Sequence, residues 1–221
     1  MNDIPTDLRR YIEDEIIPRY DGFDAGHRRD HVEMVIANCL WLSSVYQLNA
    51  AMAYTIAACH DIGLVNGREH HHIDSARLMR AEANLRRWFT VDEVNMMADA
   101  AEDHRASAGH EPRTLYGCVV ADADHISDPD TVIRRTIQYG LEYYPQLSPA
   151  QHRLRCYDHL QEKYAEGGYM HLWLPESSQL PHLSSLRRLM ACQSELDVVY
   201  ERLWHEEIAR RAAEDDKMQD K

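Results

Sequence analysis

Apolar residues recur along this chain at the three- and four-residue spacing of amphipathic helices. Leu8, Ile12 and Ile16 form the first such stripe, and a second one runs through residues 32–40. Because side chains at this spacing share one face of a helix, each stripe predicts a helix that packs on a core. We find no alternation of apolar and polar residues of the kind that is typical of half-buried strands.

Residues 50–60 differ from their neighbours because they are almost wholly apolar. A helix that is apolar on every side is buried, so this segment predicts a central helix, with Gly63 placed to cap its end. Thr90 and Glu93 fit a capping box, which predicts that a helix begins there. Proline in the first turn marks two further helix starts, at Ser127-Asp128-Pro129 and at Ser148-Pro149.

These patterns predict an all-α fold, with further helices over about residues 73–85, 115–126 and 183–211. We expect one all-α domain over residues 1–221, on which the segment after residue 128 packs as a helical appendage. The charged end of the chain predicts a disordered tail over about residues 214–221. The last long helix is expected to pack internally, and the sequence leaves open whether the protein is a monomer or a homodimer.

Length, net charge and cysteine pattern limit the classes of protein to which this chain can belong. The chain of 221 residues is long enough to bury a substantial core, and its net charge is −13. Proteins that coat nucleic acid or anionic membranes usually carry a basic excess, so this charge argues against both partners. Five scattered cysteines without a Cys-x-x-Cys motif indicate reduced thiols. With no apolar signal core and no long apolar run, we expect a soluble cytoplasmic protein.

Candidate metal ligands stand at the ends of several predicted helices. His60 and Asp61 follow the buried segment, and His31 begins the second stripe. His104 and Asp124 each continue the apolar stripe of a helix, so both are expected to face inward. Inward polar groups are costly to bury unless they are paired or bound to metal, and imidazoles and carboxylates suit divalent ions. Each residue alone is as well explained as a core histidine or a helix cap, but together they predict one shared polar centre.

This pattern resembles the H…HD…D signature of the HD-domain metal-dependent phosphohydrolase superfamily, whose members are all-helical. The similar segments are Asp30–Val35, Ala58–Gly63 and Ala121–Asp124. The resemblance covers about residues 25–128 and implies an HD-domain helical bundle, followed by a C-terminal helical extension over about residues 129–213. It implies that one metal is bound by His31, His60, Asp61 and Asp124. Asp122 would lie behind these ligands, because Asp124 fits the alanine–aspartate pair of the family's last motif.

Two more histidine segments, His71–Ala76 and Glu102–Arg105, resemble those of HD proteins that hold two metals. The resemblance then implies that Asp61 bridges two ions and that His71 and His104 bind the second one. The ligand among the three consecutive histidines stays open; the spacing favours His71, with His72 supporting it. The implied cofactor is one or two divalent ions per chain, of Mn, Mg, Co, Ni, Zn or Fe.

The same resemblance implies hydrolysis of a phosphate ester or anhydride by metal-activated water, with a nucleotide or another small phosphorylated metabolite as substrate. Asp61 and Glu69 are the candidate catalytic residues. Three arginines near the motifs, Arg68, Arg105 and Arg113, are candidates for phosphate binding, since the arginine fork donates two hydrogen bonds. Lys163, in the C-terminal part of the chain, is a further candidate that could close over a substrate phosphate. Ordinary surface charge explains the arginines as well, and helix-end capping explains Lys163.

Other branches and classes are compatible with part of this pattern. The Gly-Tyr-Pro element of the cyclic-dinucleotide phosphodiesterases of the superfamily does not occur in the sequence. Some HD-fold proteins are di-iron oxygenases that use the same six ligands, and ligand identity does not separate them from hydrolases. A binding domain without catalysis is a third interpretation, and the complete ligand set argues against it.

Overall fold

The structure is a computed structural model, and it describes residues 3–24 and 26–219. Throughout these residues the regular elements are helices and no strand occurs, which confirms the predicted all-α fold. The α-helices in this part of the chain are α1 (Thr6–Tyr11), α2 (Arg29–Val45), α3 (Ala50–Cys59), α4 (His71–Ala81), α5 (Val91–Asp103), α6 (Leu115–Asp124), α7 (Pro129–Tyr143), α8 (Pro149–Tyr164), α9 (Leu180–Ala191) and α10 (Gln193–Gln219). None of the helices in the described residues is both long and apolar enough to cross a lipid bilayer.

The chain divides into two compact units. The first ends at His125 and also includes the returning segment Leu172–Ser177; the second comprises Ile126–His171 and the chain from Ser178 onward. The first boundary lies close to residue 128, where the sequence predicts that the appendage begins. No sequence pattern indicated that a segment after α8 would return to the first unit.

Helix α3 forms the centre of the first unit. Its residues from Ala51 to Cys59 are all buried, as the unbroken apolar run predicts. The side chain of Asn49 caps the helix by accepting hydrogen bonds from the backbone N–H groups of Ala51 and Met52. Helices α2, α5 and α6 pack around it. The end of this most buried helix is therefore where His60 and Asp61 enter the core.

Short turns of other helix types flank these elements. The first apolar stripe continues from α1 into a π-helical turn, Ile12–Ile16, and a 3₁₀ turn, Ile17–Gly22. A further 3₁₀ turn, Ile62–Asn66, connects α3 to α4. The predicted capping box at Thr90 is confirmed, since its hydroxyl accepts from the N–H of Glu93 while the Glu93 carboxylate accepts from the N–H of Thr90.

The second unit contains α7 to α10, and here the sequence prediction of one helix over about 183–211 is wrong. Cys192 is extended, with φ −117° and ψ 94°, and this residue separates α9 from α10. Helix α10 then continues to Gln219, past the start of the predicted disordered tail, while Asp220 and Lys221 lie outside the described residues. Leu186, Leu196 and Leu203 are buried in this unit, as expected for a helix that packs internally.

Asp122 holds the returning segment on the first unit. Its carboxylate accepts hydrogen bonds from the backbone N–H groups of Trp173 at 2.8 Å and Leu174 at 3.1 Å. We expect Asp122→Asn to lower the free energy of unfolding by about 1–2 kcal/mol, because an amide accepts through only one of its two polar atoms. Urea titration measures the loss, and faster hydrogen exchange at Trp173 and Leu174 locates it. The exposed Asp158→Asn is the control; equal stability of both variants would contradict the role assigned to Asp122.

Candidate metal centre

Two groups of potential metal ligands lie in the first unit. Cluster 1 consists of His31, His60 and Asp124, and cluster 2 consists of Asp61, His71 and His104. Within each cluster the ligand atoms all lie within 4.8 Å of one another. The clusters contain the six residues that the sequence resemblance assigns as ligands.

The three members of cluster 1 come from the start of α2 and the ends of α3 and α6. Nε2 of His31 lies 3.1 Å from Oδ1 of Asp124 and 3.4 Å from Nε2 of His60. Nε2 of His60 lies 3.7 Å from the same Asp124 oxygen. Both imidazoles are buried, whereas a quarter of the Asp124 side chain is exposed. Two nitrogen donors and one oxygen donor therefore converge at a point that solvent reaches from the Asp124 side.

Asp61 connects the clusters through its two carboxylate oxygens. Oδ1 lies 3.4 Å from Nε2 of His71 and 3.4 Å from Nε2 of His104. Oδ2 faces cluster 1, at 3.3 Å from Nε2 of His60 and 3.6 Å from Nε2 of His31. A carboxylate that presents one oxygen to each of two donor sets has the geometry of a bridging ligand.

Main-chain carbonyl groups orient three of the imidazoles. Nδ1 of His60 donates to the carbonyl of Ala57 at 2.7 Å, and Nδ1 of His104 donates to that of Ala101 at 2.5 Å. His60 and His104 are the C-cap residues of α3 and α5, so each satisfies a carbonyl that its helix leaves unpaired. With Nδ1 held by a carbonyl, Nε2 of each ring faces the centre and is the atom that would bind a metal. Such outer partners fix the tautomer of histidine ligands in metalloproteins.

The imidazoles keep both carboxylates of the centre ionised. Burial alone would raise the pKa of Asp61, but His60, His104 and His31 outweigh burial and hold this pKa well below its usual range. The pKa of Asp124 is also held well below its usual range, since His31 and His60 outweigh the effect of burial. The centre thus contains two carboxylate charges that a bound cation would neutralise.

The pKa values of His31 and His60 in cluster 1 are shifted in the opposite direction from that of His71 in cluster 2. Burial opposes protonation of His31 and His60, but Asp61 and Asp124 outweigh it and raise both pKa values, that of His60 well above its ordinary value. Burial, followed by the neighbouring His104, lowers the pKa of His71. The His71 imidazole is therefore neutral at neutral pH and offers its Nε2 lone pair.

The donor set fits a divalent metal. Nδ1 of His71 and of His104 each donate to a carbonyl, and Nε2 of both rings faces Oδ1 of Asp61. This oxygen is buried and has no hydrogen-bond partner among the described residues. A buried carboxylate oxygen without a donor is unfavourable, and a cation beside it removes that cost. Together with imidazole and carboxylate chemistry, this arrangement indicates divalent metal binding at the centre.

Packing between the 3₁₀ turn Ile62–Asn66 and α4 sets the position of His71. The N–H of Gly63 donates to Oγ of Ser75 at 2.9 Å, and the two backbones are in contact. The sequence predicted that Gly63 caps the buried helix, which is wrong because α3 ends at Cys59 and Gly63 lies inside the following turn. The glycine is required here by the close approach of α4.

Tyr20 supports the Asp61 turn and was missed by sequence reasoning. Its hydroxyl donates to the carbonyl of Ala58 at 3.0 Å and accepts from the N–H of Asp61 at 3.3 Å. The ring is fully buried. No sequence signal marks such a contact, since it joins residues about forty positions apart whose pairing depends on the fold.

Arg113 is engaged in ion pairs with carboxylates that belong to neither cluster. Its guanidinium contacts the carboxylates of Asp103, Glu102 and Asp99, and the buried Asp103 carboxylate also accepts from the Arg113 N–H at 2.7 Å. The predicted role of Arg113 in substrate binding is not supported by these contacts. A buried Asp103 requires the pairing, because an unpaired carboxylate would be costly there.

The other predicted substrate-binding side chains have different surroundings. Arg105 donates to the carbonyl of Glu69 and to Ser107, and lies 3.3 Å from Nδ1 of His72. Arg68 is half-exposed beside His71. Lys163 lies in the second unit, with its ammonium 5.2 Å from the ring centroid of Tyr164. Their roles in substrate binding stay predictions.

The remaining predicted residues are Glu69, His72 and Asp122. Glu69 is 87% exposed, next to the α4 start that carries His71, and its catalytic role stays a prediction. The ring of His72 lies beside that of His71, and burial, followed by Arg105, lowers its pKa to about 4. Asp122, predicted to support the ligands, points its carboxylate at the returning segment instead. Two residues apart on a helix face nearly opposite sides, which separates Asp122 from Asp124.

We expect His71→Ala to remove about one metal ion per chain, whereas His70→Ala leaves the metal content unchanged. His71 belongs to cluster 2, but the His70 side chain is 66% exposed and its Nε2 lies 3.6 Å from Oε1 of Glu69. Elemental analysis of both variants after reconstitution with Mn²⁺ makes the comparison. Loss of metal from His70→Ala, or full metal content in His71→Ala, would contradict the assignment.

Comparison with known proteins identifies the family of this segment. Residues 28–128 match the family model of the HD domain, and this range contains all six cluster residues. The crystal structure of a predicted HD superfamily hydrolase from an uncultured Thermotogales bacterium is similar to this chain, with a TM-score of 0.47 and 20% identity, over 72% of this chain and 87% of that one. No curated protein matches the chain significantly. Residues 28–128 therefore match the HD domain, while the rest of the chain lies outside that match.

Proposed function

We propose that this protein is a metal-dependent phosphohydrolase that acts on a nucleotide or another small phosphorylated metabolite. The observation that carries the proposal is the position of Asp61, whose two oxygens face cluster 1 and cluster 2 in a buried set of imidazoles. The match of residues 28–128 to the HD domain supports the same class of chemistry.

A bound divalent ion would lower the pKa of a coordinated water and polarise a phosphoryl oxygen. The residues that would hold one ion are His31, His60, Asp61 and Asp124, and His71 and His104 with Asp61 would hold a second. Asp61 fixes the position of the two clusters relative to each other. Its own position is fixed because its backbone N–H donates to the Tyr20 hydroxyl and its side chain is buried. Such preorganised donors need no rearrangement when charge develops during the reaction.

The exposed side of the centre is the expected approach for the substrate. Asp124 and His71 are the partly exposed cluster members, with side-chain exposures of 25% and 16%. Arg68 and Glu69 stand beside His71 in the chain and are exposed to solvent. In this proposal Arg68 binds a substrate phosphate and Glu69 acts as a general acid or base.

Phosphate release provides the test. Metal-free protein is reconstituted with Mn²⁺, Co²⁺, Mg²⁺ or Zn²⁺ and incubated with nucleoside mono-, di- and triphosphates and with phosphorylated sugars. We expect metal-dependent release from at least one class, and its loss in His104→Ala. The exposed His110→Ala is the matched control, because His110 belongs to neither cluster and should retain activity.

Two results would contradict the proposal. One is the absence of phosphate release with every metal and substrate class. The other is a protein isolated with two irons per chain that consumes oxygen, which is the oxygenase chemistry that the same ligand types also serve.

A further inference from the structure

A carboxylate outside both clusters connects the segments that support them. Oδ1 of Asp24 accepts hydrogen bonds from Nδ1 of His27 at 2.8 Å and from the N–H of Gly26 at 2.9 Å. Oδ2 accepts from Nη1 of Arg68 at 3.2 Å. Asp24 therefore joins the loop before α2 to the loop before α4.

Each of these two loops supports one cluster. The His27 ring packs edge-on against the His31 ring, with centroids 5.5 Å apart and an interplanar angle of 76°. Nδ1 of His31 is buried and has no hydrogen-bond partner among the described residues. The His31 ring is therefore not oriented by a carbonyl as His60, His71 and His104 are, and the His27 ring packs against it instead. On the other side, the carbonyl of Arg68 accepts from Nδ1 of His71 at 2.8 Å.

We propose that Asp24 is a positioning residue for the metal centre. It fixes the position of Arg68, whose backbone carbonyl in turn orients the His71 ring towards the other members of cluster 2. The proposal rests on the two-metal form of the proposed function. The link to His71 consists of two hydrogen bonds in series, whereas the link to His31 is a ring contact. Loss of Asp24 should therefore weaken metal binding at cluster 2 more than at cluster 1.

The charge of Asp24 supports this role. The hydrogen bond from His27, opposed in part by burial, lowers the pKa of Asp24 to about 2, so the group is a carboxylate at neutral pH. Arg68 is 54% exposed and Asp24 31% exposed, and pairs this exposed contribute little to folding stability. Loss of Asp24 is therefore expected to change the metal affinity and not the folding stability. Mutation of the outer partners of ligating histidines typically changes metal affinity 10- to 100-fold.

Mn²⁺ titration of the metal-free full chain by calorimetry tests the proposal. We expect Asp24→Asn to weaken the second binding event about tenfold or more and the first by a smaller factor, with an unchanged melting temperature of the metal-free protein. Asp24→Glu should recover part of the lost affinity. Arg68→Ala should reproduce the effect of Asp24→Asn, and the double variant should add little to either.

Asp21→Asn is the matched control. Asp21 lies three residues earlier and pairs with Arg29 at 2.6 and 2.8 Å, with no contact to either cluster, so both affinities should equal those of wild type. Unchanged affinities in Asp24→Asn, an equal loss at both sites with a lower metal-free melting temperature, or a wild-type protein that binds one ion would each overturn the proposal. Two ions bound normally without any phosphate release would instead contradict the proposed reaction and leave the role of Asp24 standing.

Discussion

Replacing Asp61 with alanine is expected to abolish metal-dependent hydrolysis, with a loss of about 10³-fold or more. The carboxylate belongs to cluster 2 through Oδ1 and faces cluster 1 through Oδ2, so its removal affects both clusters at once. Charge stabilisation by metals in catalysis amounts to several kcal/mol, and about 4 kcal/mol corresponds to a factor of 10³. The same variant should bind neither ion with the affinity of wild type. Elemental analysis and phosphate release measure the two effects separately.

Two further variants separate this effect from unfolding. His31 and His60 are buried beside the charge of Asp61, and alanine removes that charge as well as opening a cavity. Asp61→Asn fills the same volume and is expected to fold while losing metal, because an amide is a much weaker ligand for divalent ions. Asp30→Ala, at an exposed position next to His31, should behave as wild type. Full activity in a folded Asp61→Asn would show that the centre is assigned to the wrong residues.

The six candidate ligands lie together in the structure, and the sequence could indicate this because most of them stand at helix ends. Apolar periodicity places the end of a buried helix within a few residues, and His60 and Asp61 follow directly after the longest apolar run. His104 similarly extends the inward face of α5. A polar residue at such a position must be satisfied in the core, which is a local inference that needs no knowledge of the tertiary fold.

Residue spacing alone does not determine which partner a long polar side chain meets. Arg113 is near the motifs in sequence, but the structure directs it to the buried Asp103. Asp122 is two residues from Asp124 and holds a segment some fifty residues later. Asp24 and His27 precede the first motif and carry no signature of their own. Their contacts depend on how distant loops meet, and periodicity contains no information about that.

The break between α9 and α10 was missed for a related reason. Leu186, Leu196 and Leu203 continue an apolar pattern across Cys192, so the sequence reads as one helix. No proline or glycine marks the break. The extended backbone of Cys192 is set by tertiary packing, which overrides the local helix propensity of the sequence.

Replacing Gly63 with alanine is expected to displace α4 and to lower the free energy of unfolding by about 3 kcal/mol or more. A β-carbon at this position would lie 2.1 Å from the carbonyl oxygen of His71 and 2.4 Å from the backbone nitrogen of Ser75. Both neighbours are main-chain atoms at the start of a helix, so no side-chain rotation relieves the overlap. The helix must move by about an ångström or more to restore normal contact distances.

Because His71 is the first residue of that helix, its Nε2 should leave Oδ1 of Asp61, and metal binding at cluster 2 should weaken. Thermal unfolding and Mn²⁺ titration of Gly63→Ala measure the two effects. Gly22→Ala is the control, since a β-carbon there meets no atom within 4 Å. If Gly63→Ala matched wild type in stability and in both affinities, α4 would not lie against the 3₁₀ turn. The position of His71 would then have to be set by the hydrogen bond to Arg68 and, through it, by Asp24.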